Sequence, residues 1–153
     1  MSTDFQRGAI KTNNIFLFFA IFLTGCSDDK AQVIQMDFEI NLAKWKELDT
    51  NNYYFTQTIS CYCTKEYRLS NEVCVRGGVI VSVNGEDYNP DVNYNFRTIN
   101  EFFDFIEVKA KTNLSYFRVN YNKQYGFPNR IVLDPVEQIA DDEITYRLSN
   151  FKN

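Results

Sequence analysis

The residues best equipped for chemistry are thiols. Cys61 and Cys63 flank Tyr62, and Cys74 follows a short way on. Two thiols two apart on a strand point the same way, so Cys61 and Cys63 could close a tight disulfide, cycle as a redox pair or hold a soft metal. An extended strand spaces Cα(i) and Cα(i+2) by about 6.6 Å, near the long limit for bridging, so direct pairing requires a bend. Lys65 and Arg68 nearby could lower a thiol pKa. A structural Cys61–Cys63 bridge with Cys74 free is the favoured reading, and Cys74 as partner to one of the pair is the alternative. The acids Asp134, Asp141, Asp142 and Glu143 lack the dense, glycine-punctuated spacing of a calcium loop and read as a solvated turn. The chain contains no histidine, which removes Ser-His and Cys-His dyads and His-ligated zinc. No catalytic residue, metal ligand set or cofactor is assigned, and a non-enzymatic role is expected.

A fourth cysteine ends the segment Ile15 to Cys26, IFLFFAIFLTGC. The apolar run Ile15–Leu23 is much shorter than the roughly 20 residues a helix needs to span a bilayer core. Arg7 and Lys11 precede it and small residues follow, the order of an export signal. Leu23-Thr24-Gly25-Cys26 resembles the lipobox of bacterial lipoproteins. That resemblance implies cleavage between Gly25 and Cys26, diacylation of the Cys26 thiol, and partnership with a membrane through the acyl chains. Two or three such chains, at about 0.8 kcal/mol per buried CH₂, anchor firmly. By the same resemblance, Ser27 rather than Asp after the lipidated cysteine favours the periplasmic face of the outer membrane where the host is Gram-negative.

The domain boundaries expected are a removed signal peptide over 1–25, a lipidated tether over 26–36 and one domain over 37–153. The leader takes two basic residues and one acid from a chain of net charge −4, leaving the mature chain at −5. An acidic chain without a basic stripe argues against a nucleic-acid partner; an envelope protein is the partner class that remains. Aromatics make up 16% of the chain, the composition of a packed, β-rich domain.

The elements that must position the thiols follow from periodicity. Phe38, Leu42, Trp45 and Leu48 lie at spacings of four, three and three, the apolar stripe of a helix that Asn51 and Asn52 suit to end. Tyr53, Phe55, Ile59, Cys61 and Cys63 share one parity of a half-buried strand, interrupted by Gln57. Residues 64–71 read as a polar loop. Arg76-Gly77-Gly78 divides two β-branched runs into a hairpin. A three-residue loop there would put Val73 and Val75 on the face of Val79, Val81 and Val83, and Cys74 on the other. Residues 84–97 form a turn-rich connection. Thr98 and Glu101 have capping-box spacing, and Ile99, Phe102, Phe103, Ile106 and Ala110 fall on one helical face. Three strands close the chain, with Phe117, Val119 and Tyr121, then Ile131 and Leu133, then Ile144, Tyr146 and Leu148 facing inward. The order α-β-β-β-α-β-β-β predicts an α+β fold: an antiparallel sheet of about six strands with two amphipathic helices on one face.

The order and spacing of Trp45, Cys61-Tyr62-Cys63, Val73-x-Val75, Thr98-Ile99 with Phe102-Phe103, Tyr125-Gly126-Phe127-Pro128, Asp142-Glu143 and Tyr146 resemble the bacterial domain-of-unknown-function family numbered 6174. The match runs from about Trp45 to Phe151. Glu72 stands where that family often has Pro, Asn122 where it often has Asp, and Cys74 is an addition. No activity comes with the resemblance. Tyr125, Gly126, Phe127 and Pro128 are a candidate surface turn, and the tyrosines 53, 54, 62, 67, 88 and 94 exceed what a small core needs, so some could form a wet binding surface.

Overall fold

The computed structural model describes residues 28–153, with side chains from residue 35 onward. In chain order the elements are α1 (Asp28–Glu47), β1 (Tyr53–Ser60), α2 (Lys65–Arg68), β2 (Asn71–Arg76), β3 (Val79–Val83), β4 (Glu86–Asp87), α3 (Ile99–Ala110), β5 (Tyr116–Tyr121), β6 (Pro128–Asp134) and β7 (Ile144–Lys152). The strands make one antiparallel seven-stranded sheet in the order β4-β3-β2-β1-β7-β6-β5. This is the expected α+β class with one strand more than anticipated and a third, four-residue helix.

The best-specified element is α3. Glu101 N–H donates to Thr98 Oγ1 at 3.1 Å while Thr98 N–H donates to Glu101 Oε2 at 2.7 Å, a complete capping box. Ile99, Phe102, Phe103 and Ile106 are buried, but Ala110, expected on the same stripe, is exposed in the last turn. In α1 the stripe holds too: Phe38 and Trp45 are buried, and Leu42 and Leu48 pack against the core from its margin. The helix is described from Asp28 onward, so Asp28 to Met36, expected as part of a featureless tether, already belong to it. Asp49, at φ 45°, breaks the helix. Asn51 and Asn52 instead hold the β2–β3 turn: Gly78 N–H donates to Asn51 O at 2.9 Å and Gly77 N–H to Asn52 Oδ1 at 3.0 Å.

That turn corrects the expected register. Arg76 pairs with Val79 across a two-residue Gly77-Gly78 turn with φ of 58° and 81°. Positive φ at both positions matches the twist of the strands, and only glycine adopts both without cost. The parity lost by the shorter loop is restored by a bulge, because Val75 pairs with Ile80 while Cys74 pairs with Ser82, leaving Val81 unpaired. Hence Ile80 and Val83 face the core, while Val79 and Val81 are exposed.

The same device recurs in the other half of the sheet. A register shift between β5 and β6 puts both Pro128 and Ile131 in the core, and one between β1 and β7, at Asn150 with φ 51°, turns Phe151 inward. Phe151 completes a cluster with Trp45, Tyr53, Tyr125 and Phe127, with ring centroids 5.1–5.7 Å from its own in all four pairs.

Candidate functional site

The bend needed at Tyr62 is present: β1 ends at Ser60, and residues 61–63 turn so that the Cα atoms of Cys61 and Cys63 come within 5.2 Å, with the sulfurs at disulfide distance. Both cysteines rest against the core margin, while Tyr62 is 88% exposed. Cys61, Tyr62 and Cys63 border a shallow recess of about 270 Å³ that Asp141 and Asp142 also line. Arg68 lines the neighbouring recess with Cys61 and Glu143.

Cys74 is free and lies on the opposite face of the sheet, as its parity required. It is nevertheless buried. Tyr54 stands directly opposite it across the ladder, and the Arg76 guanidinium sits 4.5 Å over the Tyr54 ring while donating to its hydroxyl. Hydrogen bonding with the Cys74 thiol raises the Tyr54 pKa, against the lowering effect of Arg76. A sheet's thickness therefore separates Cys74 from the Cys61–Cys63 pair, and neither can serve the other in thiol exchange as folded.

The acids near the recess act on the loop. Asp142 Oδ2 accepts from Val136 N–H at 3.1 Å, and Ser115 Oγ accepts from Glu137 N–H at 2.8 Å, tying the 135–142 loop to the sheet end. Among the described residues no three His, Cys, Asp or Glu side chains come together as a metal-binding group.

The turn Tyr125-Gly126-Phe127-Pro128, a candidate surface feature in the sequence, is instead an internal joint. Gly126, Phe127 and Pro128 are buried and Tyr125 is half-buried. Gly126 has φ 78°, and a Cβ there would collide with the Asn41 carbonyl of α1 and come within 2.8 Å of Lys44 Cβ. Glycine is required because a helix backbone lies against the turn. Asn122 Oδ1 accepts from Gln124 N–H and Tyr125 N–H, which fixes the turn's entry.

A cleft of about 480 Å³ lies at the β2–β4 end, where sequence reading placed only a loop. Tyr67, Phe96 and Val83 line its apolar part, with Tyr94 65% exposed at its mouth. One buried amide, Asn71, lines it, and a second, Gln57, braces the chain on either side of Phe96. Asn71 Nδ2 donates to Glu66 O and Leu69 O at 3.0 and 2.8 Å, and its Oδ1 accepts from Asn84 Nδ2 at 2.8 Å. Gln57, fully buried on the core parity of β1, donates to Asn95 O at 2.9 Å and accepts from Arg97 N–H at 3.3 Å. Tyr67 donates its hydroxyl to Val92 O at 2.6 Å, and burial raises its pKa. Glu66, Glu86 and Asp87 add carboxylates, and no Lys or Arg lines the cleft. An aromatic floor, amide walls and acidic rim suit a cationic or polar neutral ligand.

Two signals could have pointed here. Asn84-Gly85, at φ 52° and 82°, makes a second two-residue hairpin turn into the two-residue β4, and Asn-Gly is a strong sequence sign of such a turn. A lone amide at Gln57 among core positions marks a buried partner, since a buried amide goes unpaired only at cost. Of the tyrosines, Tyr53 and Tyr67 belong to the core, Tyr62 and Tyr94 are exposed, and Tyr88 packs against the core margin.

The chain belongs to the family of unknown function DUF6174, whose model matches residues 37–153. No curated protein matches the chain, and no solved structure does. The expected signal peptide, its cut between Gly25 and Cys26, and the lipidated Cys26 lie outside the described residues. Among those described, no helix is long and apolar enough to cross a membrane.

Proposed function

We propose that this protein is a lipid-anchored, non-enzymatic binding domain of the bacterial cell envelope, on the periplasmic face of the outer membrane where the host has two membranes. The carrying observation is the leader: Leu23-Thr24-Gly25-Cys26 has the order of a lipoprotein cleavage site and closes an apolar run, Ile15–Leu23, too short to span a bilayer core. Acyl chains on Cys26 would hold the folded body close to the bilayer, with α1 as the stalk. The cleft beside Tyr67, Asn71, Asn84 and Tyr94 is the surface best built to receive a ligand or an envelope partner.

The test is the intact mass of the protein isolated from membranes of a host expressing the full gene. The expected result is loss of residues 1–25 with a gain of two or three acyl chains on Cys26, and release to the soluble fraction in Cys26→Ala. An unacylated mass, or membrane retention of Cys26→Ala, overturns the anchor. Alkylation of the same sample counts thiols, with one expected, at Cys74. A turnover that Cys61→Ser abolishes would overturn the non-enzymatic reading.

A further inference from the structure

Charge and cover disagree on the outer face of the sheet, the one turned away from α1 and α3. Asn120 stands opposite Arg130, Arg130 opposite Arg147, and Arg147 opposite Thr58, so these side chains share one face, and Arg118 joins them two residues before Asn120. The other parity of the same strands, with Ile131 and Tyr146, belongs to the core. Arg118, Arg130 and Arg147 are all exposed. Among the described residues the ion pair is Lys111–Glu107, so none of the three arginines has a carboxylate partner. The acids nearest them are Asp134, opposite Tyr116 at the end of the β5–β6 ladder, Asp37 of α1, which shares a recess with Arg118, and Glu72, opposite Thr56 and two strands from Arg147; none of these forms an ion pair with the three.

This arrangement works against the fold. Like charges directly opposite on a ladder destabilise the pairing, and Arg130 and Arg147 are such a pair. Nothing in the packing requires arginine at exposed positions whose neighbours Asn120, Thr58 and Thr145 are neutral. The chain as a whole carries −4. Positive charge is thus collected on an open surface of an acidic protein, and an anion is what it would complement.

The stalk leads to the same region. Asp37 of α1 and Tyr116, Phe117, Arg118, Val119 and Tyr121 of β5 line a common recess, so α1 passes at Asp37 beside the β5 edge that carries Arg118.

We infer that the Arg118, Arg130 and Arg147 face docks on the phosphate groups of an anionic bilayer and so orients the anchored domain. This deepens the anchor reading above and rests on it. An acidic body tethered close to a negative surface is repelled in most orientations. The arginine face is the one that gains, because guanidinium pairs bidentately with phosphate and the surface potential reaches about one Debye length. Docked this way, the cleft at the β2–β4 end stays open to the aqueous compartment.

The test holds the mature chain on vesicles by a means independent of acylation. With no native histidine, an N-terminal hexahistidine tag on nickel-chelating lipid provides it. In a Cys26→Ser, Cys74→Ser background, a fluorophore is placed at Asn120→Cys on the arginine face or at Asp104→Cys on the exposed side of α3. Quenching by headgroup-spin-labelled lipid then reads which face meets the bilayer. On phosphatidylglycerol-containing vesicles the Asn120 label should be quenched about twofold more than the Asp104 label, and on pure phosphatidylcholine equally. The difference should vanish at about 0.5 M salt and in the triple variant R118Q, R130Q, R147Q. Circular dichroism identifies a variant that fails to fold, in which case R130Q with R147Q alone carries the comparison. Equal quenching of both labels on both vesicle types overturns the inference, as does a preference that survives the arginine replacements. Neither result touches the anchor, which the intact mass decides separately.

Discussion

The two halves of the sheet are covered by different means. β5, β6 and β7 lie under α1 and α3, and their cover is held by interlocked aromatic rings: Trp45 against Tyr53, Phe127 and Phe151, and Phe102 and Phe105 against Tyr146. Toward β2, β3 and β4 the cover described includes Tyr67 of α2 and Val92 and Phe96 of the 84–97 segment, with Gln57, Asn71 and Asn84 bonded to main chain and the two asparagines to each other. A helix satisfies its own backbone and can bury a greasy stripe. A loop cannot, so its peptide groups need partners from below. The difference teaches why polar residues appear on the core side of one half, and why that half keeps a cleft.

Trp45→Ala is the sharpest break of the aromatic half. It removes the ring at the centre of the cluster and the 2.7 Å bond from Nε1 to Asn100 Oδ1, and should cost about 4 kcal/mol in urea unfolding followed by circular dichroism. Gly126→Ala forces a Cβ into the α1 backbone at a positive φ, and about 3 kcal/mol should be lost with α1 undocked. Amide exchange should show α1 opening with the loop half intact; coincident opening of 84–97 would mean the halves are one unit.

In the amide half, Gln57→Ala leaves the half-buried Arg97 N–H without its partner and Asn95 O with only the 3.4 Å bond from Arg97 Nη1. It should cost about 2 kcal/mol and speed exchange over residues 88–97 first. If α3 exchanged equally fast, the contrast between halves would fail. High pH probes the seam between them. Tyr53, whose hydroxyl accepts from Ile99 N–H at 3.0 Å, has its pKa pushed by burial to about 12 from 10.0. The unfolded chain loses this proton first, so the contribution is complete below pH 10 and is lost as pH rises through 12. The loss should be on the order of 2 kcal/mol, and absent in Tyr53→Phe. The smallest effect expected is that of opening the Cys61–Cys63 bridge. It closes a very short loop, so Cys61→Ser with Cys63→Ser should cost about 1 kcal/mol in the same urea titration.

What the sequence made legible follows the same division. α3 could be read because capping and helical spacing agree on Thr98 to Ile106, and α1's stripe because four large apolar residues keep the period. The expectation that Cys61 and Cys63 pair through a bend, with Cys74 facing away, was likewise available from parity. Register was not. The bulge at Val81 and the register shifts near Asn129 and Asn150 each move a strand's parity by one without any residue type that announces it, so Val79 and Val81 were expected inward and Phe151 was passed over. The Tyr125–Pro128 turn looked like surface because glycine and proline mark turns in general. That Gly126 serves a helix contact depends on α1 arriving from more than eighty residues earlier. The cleft was hidden for a similar reason, since Asn71 and Asn84 have meaning only as a pair.

The central position in the sheet belongs to the pairing of β1 with β7, the first strand of the domain with the last. During synthesis, a chain that has not yet delivered Ile144–Lys152 holds two separate sheet fragments, β4-β3-β2-β1 and β6-β5, with an open edge on each side of the gap. Neither fragment can close the core over Tyr53, because Phe151 and Tyr146 arrive only with the final strand. A fragment that lacks β7 therefore leaves Tyr53 uncovered and an unpaired strand edge on each piece, so closure of the core and protection of those edges hang on one and the same strand.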